Sequence, residues 1–251
     1  MLTMGNTISI GLLGPLVVVR QDGSVVPHDA WRTGKTMDLL RVLALENGRP
    51  VRSSSLVDLL WPHVDPARGR GSLRTAASQI RKAIGQDCLV RQQNDLVLVS
   101  ATVDVDEYRQ LVVAIAQARA RQSFNEALLL NEAAETLYRG DLHASDDSAG
   151  WAVFARENLR RLRLAALGDA ACSALQTGRF REALELATTI VHIEPSSESG
   201  HRTLMHAHAE LSEIGQALQV FERYRTRLSD ELGVDPPRSI RELHLRLLRD
   251  E

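Results

Sequence analysis

Residues 53–91 read SSSLVDLLWPHVDPARGRGSLRTAASQIRKAIGQDCLVR, and the fold is decided by how this stretch divides into helices. Ser53 or Ser54 can cap a first helix by offering a side-chain oxygen to the unpaired N–H groups of its opening turn. Leu56, Leu59 and Leu60 give that helix one apolar face, and Trp61 ends it before Pro62. The polar run PHVDPARGRG reads as a loop, and a second helix is expected over Ser72–Ile84. At 100° per residue from Leu73, Ala77, Ile80 and Ile84 fall within about 40° of it, while Arg74, Ser78 and Lys82 fall near 100° to 180°. Arg81 and Thr75 border this polar face. A helix with one buried face and one basic, hydroxyl-bearing face suits a DNA major groove, where arginine pairs bidentately with guanine and Ser or Thr reach bases or phosphates. Between Pro66 and Arg91, Arg68, Arg70, Arg74, Arg81, Lys82 and Arg91 face only Asp87, a basic stripe of the kind that meets phosphate.

Working outward, Lys35–Glu46 carries Met37, Leu39, Leu40, Val42, Leu43, Ala44 and Leu45, a well-buried helix stopped by Asn47-Gly48 and Pro50. Upstream, ISIGLLGPLVVVR (8–20) is strand material broken at Gly14-Pro15, and Asp22-Gly23 supplies a turn. Downstream of Gly85, CLVRQ and LVLVS alternate around Asn94-Asp95 as a β-hairpin. Strands, three helices and a closing hairpin make a winged helix-turn-helix over 1–104.

Beyond Asp104 the alternation of strands disappears. Ala, Leu, Arg and Glu dominate, with breaks at Gly140-Asp141, Gly178, Pro195 and Gly233 to Pro237, so 105–251 reads as all-α. GRFREALEL and SEIGQALQV superpose with a period of 34 residues, matching Phe180 to Ile214, Ala183 to Ala217, Leu184 to Leu218 and Ile190 to Tyr224. This is the period of tetratricopeptide helix pairs. The earlier helices of the region lie outside it. The expected fold is mainly α with a small β component: a winged helix followed by a tetratricopeptide-like domain.

Charge divides along the same line. Residues 1–104 hold 12 Lys or Arg against 9 Asp or Glu, and the remainder 18 against 23, so the amino-terminal part is net basic and the rest net acidic. No run approaches the ~18 apolar residues of a membrane span, and MLTMGNTISI lacks a signal-like core, so a cytoplasmic protein without membrane contact is expected. Cys88 and Cys172 are far apart and read as packed thiols rather than a disulfide or metal pair. Gly34-Lys35-Thr36 imitates the end of a phosphate-binding loop, but Asp29 stands where that loop needs glycine. Of His192, His201, His206 and His208, only His201 and His208 share a helix face, which reads as surface histidines rather than a metal site. Trp61 and Trp151 read as core anchors, and Asp146-Asp147 as a solvated loop. No nucleophile, base and acid stand together, so neither enzyme, cofactor nor metal is expected.

The motifs LLGPLVV with Asp22-Gly23, GRPVRSSSLVDLLW, RGSLRTAASQIRKAIG and VDVDEYRQLV, followed by LYRGDL, WAVFARENLRRLRLAAL and LSDELGVDPPRSIRELHLRLL, resemble the Streptomyces antibiotic regulatory protein family. That family joins an OmpR-like winged helix to a bacterial transcriptional activator domain. The resemblance implies a transcriptional activator that binds promoter direct repeats as a side-by-side homodimer and recruits RNA polymerase through its sigma or other subunits, with the loop Pro62–Gly71 touching the polymerase. Carried over by position, it implies Arg70, Arg74 and Ser78 at the groove, Arg81 and Lys82 toward the backbone, and Lys35, Ser53 or Ser54 and Arg91 at phosphates, with Thr75 beside the reading face. Ala76 and Gln79 stand where related helices often carry His and Arg, implying a different reading of bases, and QQNDL replaces the usual glycine and aromatic pattern of the wing. The competing reading is a tetratricopeptide-type interaction protein whose basic domain binds RNA or another protein.

Overall fold

The computed structural model describes residues 7–145 and 149–249, so the Asp146-Asp147 loop lies outside the described residues. The fold is mostly helical with two small sheets. The chain divides into two compact units, one of residues 1–109 with 137–159, the other of residues 110–136 with 160–251.

The first unit opens with β1 (Ile8–Gly11) and β2 (Val17–Val19), antiparallel to each other, and β1 also pairs in parallel with β6 (Ala101–Val103). Three helices follow: α1 (Gly34–Leu45), α2 (Ser53–Leu60) and α3 (Pro66–Ile84). A second sheet has the order β3 (Val51–Arg52), β5 (Asp95–Leu98), β4 (Leu89–Gln92), all antiparallel. The core is built from Leu39, Leu40, Leu43, Leu56, Leu60, Ile80 and Leu98, each essentially out of solvent. Removing each such side chain from water contributes about 1.5 to 3 kcal/mol.

Three expectations change here. The helix expected from Ser72 begins at Pro66, because Asp65 Oδ1 accepts from the N–H groups of Ala67 (2.9 Å) and Arg68 (3.2 Å), and proline suits the first helical position. The loop before it is therefore only Pro62–Asp65. Gly69 lies inside this extra helix, where an added Cβ would meet Val57 Cγ1 at 2.5 Å, so glycine is what lets α2 and α3 cross closely. Neither Ser53 nor Ser54 caps α2: Arg52 holds the cap position, without a side-chain bond. Leu59 is 40% exposed and Val57 takes its place in the core.

The segment Leu137–Leu159 packs within the same unit. Asp104, the first residue of α4 (Asp104–Ala120), accepts from Leu12 N (2.8 Å) and Leu13 N (3.0 Å) and pairs with Arg139 (3.3 Å). Ser145 donates its N–H to Asp38 Oδ1 (3.0 Å) and its hydroxyl to Asp38 Oδ2, and Asp38 is ion-paired with Arg41 in α1. Ser145 sits so close that a Cβ on Gly34 would overlap it. Trp151 is buried in this segment, while Trp61 is only half-buried.

The second unit contains the rest of α4, then α5 (Phe124–Leu137), the later part of α6 (Gly150–Gln176), α7 (Phe180–Ile193), α8 (Glu198–Glu210), α9 (Ile214–Leu232) and α10 (Arg238–Leu247). α7 and α9 begin 34 residues apart, as the repeat requires. A third copy was hidden by irregular spacing. Gln122, Gly178 and Ser212, at φ 60°, 70° and 60°, each precede a helix by two residues, and the next N–H closes the same bond in each: Ser123 to Ala118 O, Arg179 to Ala174 O, Glu213 to His208 O. Ala127, Ala183 and Ala217 follow at equivalent positions, each fully buried. Ala170, Ala174, Ala183 and Ala207 with Leu128 form one core cluster, and Met205, Phe221, Tyr224, Ile240 and Leu243 another.

Candidate nucleic-acid interface

The geometry of α3 separates its residues cleanly. Gly69, Leu73, Ala76, Ala77, Ile80, Ala83 and Ile84 are buried, while Arg70, Arg74, Thr75, Ser78 and Lys82 are exposed. Both ends of the helix are held. Asp65 caps the start, and Arg20 Nε donates to Ala83 O (2.7 Å) in the last turn, where helix carbonyls lack internal donors. α1 braces the middle: Thr36 Oγ1 donates to Gln79 Oε1 (2.7 Å). Gln79 is thus turned toward α1, and Ala76 is buried, so neither side chain stands on the exposed face that carries Arg74, Ser78 and Lys82.

The hairpin is tied to the helix by Arg81, whose Nε donates to Leu89 O (2.7 Å). β4 and β5 are joined at Gln93-Asn94, with Gln93 in the left-handed region at φ 52°, and Arg91 Nε donates to Gln93 O (3.0 Å) across this short turn. Between α3, the start of α2 and the hairpin lies a cavity of about 300 Å³ lined by Ser53, Arg70, Leu73, Arg74, Ala77, Arg81, Arg91 and Leu96. A second, of about 540 Å³, shares Ser53, Arg70 and Arg91 and adds Ser54, Arg52, Asp58, Gln93, Asn94 and Asp95 among its walls.

Of the residues expected at the site, Ser53, Arg70, Arg74, Arg81 and Arg91 line the first cavity, and Ser54 joins Ser53, Arg70 and Arg91 around the second, whose walls also hold Asp58 and Asp95. Thr75, Ser78 and Lys82 occupy the exposed side of the same helix, with Thr75 Oγ1 donating back to Gly71 O (3.1 Å). Lys35 is half-buried in the first turn of α1 and lines neither cavity. Arg52, Gln93 and Asn94 were missed; Arg52 lies before the basic stripe began, and the turn residues are uncharged. Among the described residues, Arg70, Arg74, Lys82 and Arg91 have no carboxylate within ion-pair distance.

Two of the histidines have partners of their own. His201, expected on the surface, is buried and stacked on Tyr224 with ring centroids 4.3 Å apart, and its Nδ1 lies 2.9 Å from Ser197 O. His208 instead meets Glu213 at 2.7 Å. Among the described residues no group of three potential ligands could hold a metal ion, and no helix is long and apolar enough to cross a membrane. Cys88 is buried, and burial pushes its thiol up from the ordinary value.

A winged helix with a basic cleft, joined to a unit of helical repeats, is the layout of a two-part transcriptional regulator. Residues 103–248 match the model of the bacterial transcriptional activator domain, and the chain belongs to that family, whose members of the Streptomyces antibiotic regulatory type are transcriptional regulators and not enzymes. The chain is 29% identical to regulatory protein AfsR of Streptomyces coelicolor over 90% of its length but 24% of that protein's. It is 25% identical to the transcriptional regulator RedD of the same species, over 98% of this chain and 72% of RedD. With the transcriptional regulatory protein EmbR of Mycobacterium tuberculosis it shares 27% identity, over 99% of this chain and 65% of EmbR. The chain thus spans about a quarter of AfsR and about two thirds of EmbR. A solved structure of Mycobacterium tuberculosis EmbR in complex with a low affinity phosphopeptide superposes with a TM-score of 0.86 at 24% identity, covering 98% of this chain and 66% of that one, a likeness of fold.

Proposed function

We propose that the chain is a sequence-specific DNA-binding activator in which α3 enters the major groove and the cleft beside it grips the backbone. The observation that carries this reading is the set of four arginines, Arg70, Arg74, Arg81 and Arg91, lining one cleft whose lining contains no acid. Such a surface is completed by phosphate. Arg74 and Ser78 read base edges, while Arg70, Lys82, Arg91 and the hydroxyls of Ser53 and Ser54 hold phosphates; Thr75 lies beside the reading face. Arg81, already bonded to the hairpin, positions the wing as well as lining the cleft. Lys35 has the weakest support as a phosphate contact.

In this reading the protein binds promoter direct repeats as a homodimer in the cytoplasm, and the helical repeats engage RNA polymerase and the second protomer. Stacked repeats present broad surfaces of the kind that take protein partners. The boundary after Asp104 belongs to the same reading, with Leu137–Leu159 counted with the amino-terminal unit it packs into. The test is selection of bound duplexes from a randomised library, followed by footprinting. The enriched sites contain two half-sites in one orientation, with centres about 10 to 11 bp apart. A pool that shows no enrichment, or an RNA competitor that removes the protein from duplex, favours the interaction-protein reading instead.

A further inference from the structure

We propose that the cleft between α3 and the hairpin also binds a small organic anion with an apolar body, and that this ligand and duplex DNA exclude one another. The inference rests on the DNA reading of the same surface. The cleft has two chemistries. Exposure separates the lining into a rim of Arg70, Arg74 and Arg91, exposed, with Arg81 half-buried, and a floor of Leu73, Ala77 and Leu96, of which none is more than 4% exposed. A phosphodiester satisfies the rim, but its hydrated oxygens have nothing to offer the floor. A carboxylate, sulfonate or phosphate attached to an aromatic or aliphatic body fits both.

At about 300 Å³ the space lies at the lower end of the range for small-molecule sites, which are mostly apolar with a few fixed polar groups. Two rim arginines are fixed before any ligand arrives, because Arg81 Nε is bonded to Leu89 O and Arg91 Nε to Gln93 O. Their remaining guanidinium N–H groups are left for an acceptor, and pre-orientation lowers the entropy lost on binding. No carboxylate lines this cavity, and Asp58 and Asp95 in the neighbouring one form no ion pair with Arg70 or Arg91 among the described residues. Because Arg70 and Arg91 cannot serve a ligand and the DNA backbone together, nor Arg74 a ligand and a base edge, occupancy turns the reading surface off without any change of shape.

The experiment uses the whole chain and the fluorescent probe 8-anilinonaphthalene-1-sulfonate, whose sulfonate and fused rings match rim and floor. Duplex binding is measured separately, by anisotropy of a labelled mixed-sequence duplex at low salt without probe. The expected result is a saturable probe site that is emptied by excess unlabelled duplex. Arg91→Ala, an exposed hairpin change that leaves the core intact, weakens the probe about tenfold, as loss of one charge-assisted hydrogen bond does. Ala77→Met, which fills the floor, weakens it further, and circular dichroism establishes that this variant is folded. Probe binding that is insensitive both to Arg91→Ala and to saturating duplex overturns the site. Failure of the duplex to bind in the probe-free arm overturns the DNA reading, and with it the mutual exclusion, and appears as a separate result.

Discussion

The helical repeats and the surface formed by α3 and the hairpin use arginine in opposite ways. In the helical repeats, Arg119 holds Asp169, Arg163 holds Glu135, Arg179 holds Glu182, Arg225 holds Glu222 and Arg238 holds Glu242. On α3 and the hairpin, Arg70, Arg74, Lys82 and Arg91 have no such partner among the described residues, and the two arginines that are bonded there, Arg81 and Arg91, donate to backbone carbonyls. Exposed ion pairs of the first kind contribute little to stability, about 0 to 1 kcal/mol each. These pairs offset arginine charge in a part of the chain that is already net acidic, which disfavours phosphate. Unpaired cations on a preorganised helix repel one another and are tolerated where an external anion completes them. Composition alone, near neutral over the whole chain, conceals this difference.

The largest effect is expected from the buried ion pair Arg41–Asp38, the only buried one in the first unit among the described residues. Asp38→Ala removes the carboxylate that Arg41 and Ser145 share, and breaking a buried pair from one side costs about 3 kcal/mol. Trp31, Trp61 and Trp151 all belong to the first unit, so urea unfolding followed by tryptophan fluorescence reports it. An unchanged fluorescence midpoint would show that the segment around Ser145 is not part of that unit's stability.

Next come the reading residues. Arg74→Ala is expected to cost about 1 to 3 kcal/mol at one base pair of the selected site while leaving binding to random duplex nearly intact; Lys82→Ala weakens both alike. Affinities for specific and random duplexes measured side by side give the ratio. If Arg74→Ala keeps the wild-type ratio, the helix is rotated relative to this account.

Much of this was legible beforehand because it depends on periodicity. Leu73, Ala77, Ile80 and Ile84 repeat at helical spacing, and α3 buries that face; the hairpin around Asn94 and the 34-residue repeat were equally visible. What escaped depended on contacts distant in sequence or on a competing local signal. Gly69 and Gly71 made Pro66–Gly71 look like a loop, yet Asp65 caps it and Val57 requires the glycine at 69. The third repeat copy was missed because the insertion between α5 and α7 breaks the period while Gln122 preserves the turn. The bonds of Asp104 to Leu12 and Leu13, about ninety residues away, leave no periodic trace at all. Within the site, charge placed the arginines, but only the fold shows that Gln79 is engaged by Thr36 and that Arg52 joins the wall.

A smaller effect separates the units by pH. Burial lowers His201 below the ordinary 6.5, with Arg227 acting the same way and the Ser197 carbonyl opposing. Burial likewise lowers His206, reinforced by Arg246 and Arg202 and opposed by Glu210. A histidine lowered in the folded state is protonated first in the unfolded chain, so the stability it contributes is complete above pH 6.5 and is lost as pH falls below that value. Acidification should therefore lower the urea midpoint seen by helical circular dichroism, to which the repeats contribute strongly, more than the midpoint seen by tryptophan fluorescence. His201→Phe, which keeps the stack on Tyr224, should narrow that gap. Equal acid shifts by both probes would remove the distinction.

The most direct measurement of the central claim is the salt dependence of duplex affinity for the wild type and for the Arg70→Ala, Lys82→Ala, Arg91→Ala triple variant. Each phosphate contact contributes about −0.9 to the slope of log affinity against log salt. The account predicts weaker binding and a slope flattened by roughly 2 to 3 in the triple variant, with its unfolding midpoints by fluorescence and dichroism preserved. A folded triple variant with the wild-type slope and affinity would place the DNA-binding surface elsewhere and contradict the account.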